Sequence, residues 1–537
     1  MALRKKIPNP RTLTAEQCRD GLAACKLRQA HLRRIAPGLR QQFTWECLQS
    51  AQQAGNTDRE KAIKERMQIE RSKKLWQRIK KATKPTAGRA CLEVQVNRDG
   101  RTVSYTSKSD VEHAIQTEIH ERFLLGHSAP ISQDLLGTEL RYLNNIDIAY
   151  AILNGTYTIP HHLDHATKLM LVEIGKLGKK VLDTTDPYNI EFTGEDFITY
   201  WNRLDERTLS SPSGIHIAHY KASAKREDHA EIFAAQMNLI VESGIHPRRW
   251  GVALQVMLEK VAGVCLVDKL RSIQLYEADL NWFMKFIFND LAMSRLQGTG
   301  LLPEEHYSQK GSTAEDACLE KTLTLDISRQ SRSPMALISV DAAQCYDRVH
   351  PILMSLIWLA LTNSPHSVIV LLRVLQEMNI FTRTGYGDSE EFFGGNADSP
   401  LCGLGQGSKA APASWLQLSS MIINAYKSEG KASTVRDPVT GKTTESVGCL
   451  FVDDTDLYVM HPMIMLTTLI VSCAQPCVNM WLSLLSSTGG AIKGPKSFWY
   501  LIAYICVNGI WQYAPESVLD KHTLSLRSDD GSLSILS

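Results

Sequence analysis

The sequence predicts an α+β fold: an antiparallel sheet backed by helices, preceded by a helix-rich N-terminal region. Apolar runs of strand length recur at 336–341, 447–460 and 497–507. Longer apolar-periodic stretches at 351–378, 409–427 and 463–487 alternate with them, each long enough for a helix. Strands separated by helices packed on one face give a sheet of the split βαβ kind. At 537 residues, 44% apolar and 22% charged, the chain can bury a large core and divide into two or three domains.

Taken in order, residues 57–82 alternate charges with Ile63, Met67, Ile69, Leu75, Trp76 and Ile79, the pattern of a solvated amphipathic helix that Lys84-Pro85 ends. From Cys91 to Tyr105 the pattern changes to short strands around Asn97-Arg-Asp-Gly100, a hairpin signal, and a helix follows over 109–125. Residues 134–182 read as helix-rich and end near a boundary at 183–187. Residues 243–300 read as largely helical, with a further helix at 314–330 and a glycine-rich loop at 385–408. The expected sections are a basic helical arm (1–90), a small mixed α/β and helical linker region (91–182), a section at 183–330, the sheet-bearing section (331–510) and a tail (511–537).

Composition narrows the partners. Residues 1–90 hold 22 Lys and Arg against 7 Asp and Glu, leaving 37 against 50 in the remainder, so the arm is either a polyanion-binding segment or a solvated helical face. Twelve cysteines without CxxC pairs read as reduced and mostly buried, with no zinc knuckle or disulfide framework. Arg4-Lys5-Lys6 and Pro8 follow Met1 where a secretory signal would be apolar, which predicts an intracellular protein of the cytoplasm, the nucleus or both. Residues 457–492 carry no Asp, Glu, Lys or Arg. Pro462, Gln475, Pro476 and Asn479 interrupt that stretch, which predicts a buried helix behind the sheet and no membrane partner.

The chemistry starts from acids placed at strand ends. Phe451-Val452-Asp453-Asp454 joins two apolar runs, and Asp341 closes the run Ala336 to Val340. Acids emerging from apolar strands are costly unless a cation compensates them, and a divalent metal is the usual one. Asp341 and Asp453 converging from separate strands suit two-metal nucleotidyl transfer, in which ions roughly 3.5–4 Å apart serve the attacking hydroxyl and the leaving group. The Asp-Asp pair taken alone is also an ordinary turn dipeptide.

Four segments resolve that ambiguity, because together they resemble the reverse transcriptases of non-LTR (LINE-like) retrotransposons over about residues 200–507. Asp341-Ala-Ala-Gln-Cys-Tyr346-Asp347-Arg348 resembles the first motif of the polymerase palm. Gly403-Leu-Gly-Gln406-Gly407-Ser-Lys409-Ala-Ala-Pro412 resembles the second, Phe451 to Asp454 the aromatic-x-Asp-Asp box, and Thr488 to Tyr500 the Gly/Lys motif that follows it. The resemblance implies a right-hand polymerase fold, with fingers at 183–330, a palm at 331–510 and a truncated start of thumb or tail at 511–537. It implies RNA-directed DNA synthesis with RNA template, DNA primer and dNTPs as partners. The cofactor would be two Mg²⁺ ions, or Mn²⁺, on Asp341, Asp453 and Asp454.

Roles follow by position. Tyr346 would stand beneath the incoming sugar and exclude a 2′-hydroxyl. Gln406 and Gly407 would let backbone approach the nucleotide, with Lys409 bringing charge near phosphate at a helix start. Lys496, with Lys493 as competitor, would protonate the pyrophosphate. Lys269 and Arg271 fall where related enzymes clamp the triphosphate.

Departures from the pattern bound the reading. Ser210-Ser-Pro-Ser-Gly214 resembles the opening of the fingers but lacks its acidic residue. His216 and His219, and the group His161, His162 and His165, read as structural or template-facing and not as a metal site. Gly441-Lys442-Thr443 ends like a P-loop, yet Arg436 stands where the first glycine belongs, so it reads as a hairpin turn. After Lys496 only 41 residues remain, fewer than a primer-gripping thumb needs. The rival expectation is therefore a truncated, catalytically inactive retroelement remnant that at most binds RNA. Viral RNA replication is disfavoured by Tyr346.

Overall fold

A computed structural model describes residues 48–65, 67–68, 91–98, 100–182, 190–206, 208, 212–437, 440–461, 466–519, 522–527 and 532–536. The chain forms two compact units, Met1–Thr86 and Ala87–Ser537. In the first, helix spans 48–53 and 57–65, and the Asn56 side chain accepts the Arg59 amide at the start of the second segment. The rest of the basic arm, much of the expected 57–82 helix and the 183–187 boundary lie outside the described residues.

The second unit is mixed α/β, with helices around several small sheets. Strands β1 (Val94–Arg98) and β2 (Arg101–Tyr105) form the hairpin expected at Gly100. The helix Lys108–Leu124 follows, capped by Ser107. Residues 243–300 differ from expectation, because β3 (Val252–Glu259) and β4 (Leu270–Leu275) are strands. The run Val-Ala-Leu-Gln-Val-Met-Leu suits either period, and an eight-residue length with buried β-pairing on both sides decides for strand. Part of the expected 385–408 loop is also strand: β7 (Gly387–Gly394) lies within it and turns back on β6 (Asn379–Thr384), which precedes it. Its polar, largely exposed face hid the alternation. These four form a sheet of order β4-β3-β6-β7, with β3 and β6 parallel.

The other main sheet is built on β5 (Met335–Asp341). Its odd residues Met335 and Leu337 pack with Ala317, Cys449, Tyr458 and Met460, while Ala336, Ile338 and Val340 enter the main core. Both faces are covered, so the strand reads as continuously apolar. After the small hairpin of β8 (Ser433–Arg436) and β9 (Thr443–Ser446), which turns at Gly441, come β10 (Gly448–Phe451) and β11 (Asp454–Val459). With β12 (Phe498–Ile502) they give the order β10-β11-β5-β12, antiparallel throughout. β11 and β12 flank β5, and the helix Thr467–Ser487 joins them, so a βαβ unit is split around β5.

That helix, expected over 463–487, has 21 residues and runs through Pro476. Burial of Ile470, Ala474, Val478, Trp481 and Leu485 offsets the roughly 3 kcal/mol that an interior proline costs. By length and composition it is apolar enough to cross a bilayer. Here its inner face packs on β5 and β11, and the Gln475 side chain exchanges hydrogen bonds with the Ser525 backbone. The C-terminal part forms β13 (Tyr504–Val507) paired with β14 (Ile510–Tyr513), then β15 (Leu524–Arg527) paired with β16 (Leu533–Leu536). The Trp499 indole donates to the Leu536 carbonyl at 3.1 Å, tying β16 to β12.

Candidate active site

Register alone brings two of the acids together, since Asp341 and Asp454 are direct partners across β5 and β11. Asp453 occupies the two-residue turn between Phe451 and Asp454. Val452, the other turn residue, has φ +59°, a conformation that costs an L-residue roughly 1–2 kcal/mol. Two side chains hold it there: Ser308 Oγ accepts its amide at 2.7 Å, and Trp415 Nε1 donates to its carbonyl at 2.6 Å. Gly448 makes the hairpin close enough, because a Cβ there would lie 1.8 Å from the Asp456 carbonyl oxygen. Burial, then Asp453, Asp341 and Asp456, push the Asp454 carboxyl above its ordinary range.

The segment before β12 lies along the end of β5. Lys493 N donates to the Asp341 carbonyl at 2.8 Å, and Ala343 N to the Ala491 carbonyl at 2.8 Å. This docking requires Gly489, whose added Cβ would meet the Arg348 carbonyl at 2.6 Å. It also delivers Lys496 Nζ to 2.7 Å from Asp341 Oδ2. The contact with Asp341, reinforced by Asp453 and Asp454, raises the Lys496 ammonium above its ordinary range.

Asp341, Tyr346, Gln406, Asp453, Lys493 and Lys496 all line one cleft of about 400 Å³. Tyr346 lies on the short helix Cys345–Arg348, half-buried. The Gln406 loop is fastened to that helix by Leu404 N donating to the Tyr346 carbonyl at 2.7 Å. Its other anchor is β4, whose Gln274 amide donates to the Gln406 carbonyl at 2.7 Å. Gly407, at φ +128°, admits no side chain: a Cβ would lie 2.1 Å from the Gln274 carbonyl oxygen. A second groove, about 930 Å³, shares Tyr346 and carries Arg203, Lys285, Trp415 and Phe451.

Some expected site residues stand apart. Lys409 is exposed outside the cleft lining, with its amide on Asn281, and the following helix begins at Ala411. Lys269 and Arg271 are exposed and also outside the lining; β-alternation turns Leu270 and Ser272 inward instead. His219 caps its own helix by accepting the His216 amide, while His162 and His165 pair with Asp134 and Glu429.

The cations that do line the cleft are Arg122, Lys260, Lys493 and Lys496. Sequence reasoning missed Arg122 as a site residue, since it lies more than two hundred positions before Asp341 and its helix carries no motif. Burial, then Lys496, Arg122, Arg271 and Lys493, hold the Lys260 ammonium below its ordinary range. Asp347, buried beside them, is pushed up to about 6 by desolvation, against the pull of Arg122 and Lys260. No known family model matches the chain, and no well-characterised protein is significantly similar to it.

Proposed function

We propose that the chain is an RNA-directed DNA polymerase of the non-LTR retrotransposon type. In this reading the β10-β11-β5-β12 sheet is its palm and the β4-β3-β6-β7 sheet supports its fingers. The supporting observation is that Asp341 and Asp453 share one cleft with Arg122, Lys260, Lys493 and Lys496. Burial and then the neighbouring acids raise Asp454 at the β5 and β11 ends, while burial and then the neighbouring cations lower Lys260. A nucleoside triphosphate carried by divalent cations compensates both sets of charges at once.

The all-carboxylate donor set of Asp341, Asp453 and Asp454 fits hard cations, Mg²⁺ or Mn²⁺. When bound, such ions activate the primer 3′-hydroxyl and neutralise the departing pyrophosphate. The chain's own groups do the rest. Arg122 and Lys260 hold phosphate oxygens, and the Gln406 loop supports the nucleotide. Tyr346 presents a ring where a ribose 2′-hydroxyl would sit. Lys496, kept protonated by Asp341, is positioned as the proton donor to pyrophosphate; Lys493 contributes charge. The larger groove, with its cations and aromatic rings, suits the RNA template and DNA primer strands.

Primer extension on an RNA template with dNTPs tests the reading. Incorporation should need Mg²⁺ or Mn²⁺ and fall roughly 10³-fold or more in Asp453→Asn. Absence of extension by the intact chain under all metal conditions would favour the inactive, RNA-binding remnant. Undiminished extension by Asp453→Asn would remove these acids from the chemistry.

A further inference from the structure

His127, His350 and Cys402 converge, and none of them lines the cleft described above. Their ligand atoms all lie within 4.8 Å of one another. His127 comes from the turn after the Lys108–Leu124 helix, His350 caps the Pro351–Thr362 helix, and Cys402 immediately precedes Gly403 of the Gln406 loop. Cys402 and His350 are 2% and 3% exposed. His350 Nδ1 is buried with no hydrogen-bond partner, a state that usually costs about 1–3 kcal/mol. That nitrogen is therefore available to a ligand.

The surroundings fit a metal. His127 Nε2 lies 2.7 Å from the Pro400 carbonyl, so as the donor tautomer it leaves Nδ1 unprotonated for coordination. The two imidazoles stand edge to face, with centroids 5.6 Å apart. Gly126 makes room for the thiol, since a Cβ there would come within 2.9 Å of Cys402 Sγ. A cavity of about 230 Å³, lined by His127 and His350, leaves space for a water as fourth ligand. Tetrahedral zinc with bonds of roughly 2.0–2.3 Å separates its donors by roughly 3.3–3.8 Å, so a contraction of at most about 1–1.5 Å would complete the set.

We propose that His127, His350 and Cys402 form a zinc site that staples three chain segments together. Two imidazoles and one thiolate select a borderline-soft ion over Mg²⁺ or Ca²⁺. The role is structural: Gly403 N donates to the Val349 carbonyl and Leu404 N to Tyr346, so the staple fixes the loop of Gln406 against the segment of Tyr346. Binding replaces the Cys402 S–H bond by S–Zn and releases that proton to solvent.

The test is metal analysis of the full chain after chelation, reloading with Zn²⁺ and desalting, with Co²⁺ as spectroscopic probe. One zinc equivalent is expected, with a thiolate-to-cobalt charge-transfer band for the Co²⁺ form. Cys402→Ser should abolish the band and His350→Ala the equivalent, while Cys473→Ser, at an exposed cysteine, retains both. His127→Gln, at the less buried position, guards against loss through misfolding and should also lose the equivalent with its circular dichroism unchanged. Zn²⁺ should raise the Tm of the wild type and leave that of Cys402→Ser in place. No stoichiometric zinc in the wild type, or equal zinc and an intact charge-transfer band in Cys402→Ser, overturns the site.

Discussion

Tyr346 is shared by the two grooves, and its ring contributes shape rather than charge, since burial raises its phenol far above neutral pH. Tyr346→Ala should therefore raise ribonucleotide relative to deoxyribonucleotide incorporation by at least about tenfold, while Tyr346→Phe keeps the discrimination. Competition between labelled rNTP and dNTP in primer extension measures that ratio, and an unchanged ratio in the alanine variant removes the steric gate. Asp347, next in sequence, has no solvent to stabilise its charge. Its folded pKa of about 6 lies above the ordinary carboxylate value, so the folded chain holds its proton more tightly than the unfolded chain does. The resulting stability penalty is absent below the unfolded value, grows as pH rises between the two, and is complete above about 6. Asp347→Asn should accordingly gain about 1–3 kcal/mol near pH 8 and little near pH 4, read from denaturant midpoints at the two pH values. A gain independent of pH would show that packing, not charge, is the cause.

At the scale of the element, loops in this molecule are held by backbone contact at glycines. Gly407→Ala should cost at least roughly 1–3 kcal/mol and shift the Gln406 loop off β4, because its Cβ has nowhere to go but into the Gln274 carbonyl. Gly298→Ala, where nothing lies within 4 Å, is the control expected to leave thermal stability nearly unchanged. Such local rules were legible in sequence wherever both signals agreed: β5, the Asp453 hairpin and the helices around 351–376 and 467–487 each combined apolar period with clear boundaries. β3 and β4 were not, since their apolar residues satisfy helix and strand periods alike and only pairing with β6 decides. β6 and β7 were obscured by polar residues on an open face. The same limit applies to the site. Asp341, Asp453 and Lys496 were found through motifs, whereas Arg122 and the His127, His350 and Cys402 group converge from distant segments with no spacing to betray them.

On the scale of the whole molecule, charge is distributed between units as well as within the cleft. The Met1–Thr86 unit carries the excess of Lys and Arg, so RNA binding should lose affinity when it is deleted. The slope of log K against log salt should flatten by about 0.7 for each phosphate contact removed from a single strand. Filter binding across a salt series reads both quantities, and an unchanged slope would assign RNA contact wholly to the larger unit. β5 has a further consequence as an inner strand of its sheet, paired with β11 on one side and β12 on the other. Hairpins at the margins of this unit can open one at a time, but β5 releases all its amides only when both its ladders, to β11 and to β12, are broken. Deuterium should thus enter Ala336 to Val340 among the last positions. Asp341 at the end of β5 would then stay opposite Asp454 for as long as the β5–β11 ladder holds, so the pairing of these two acids should outlast the loops around them.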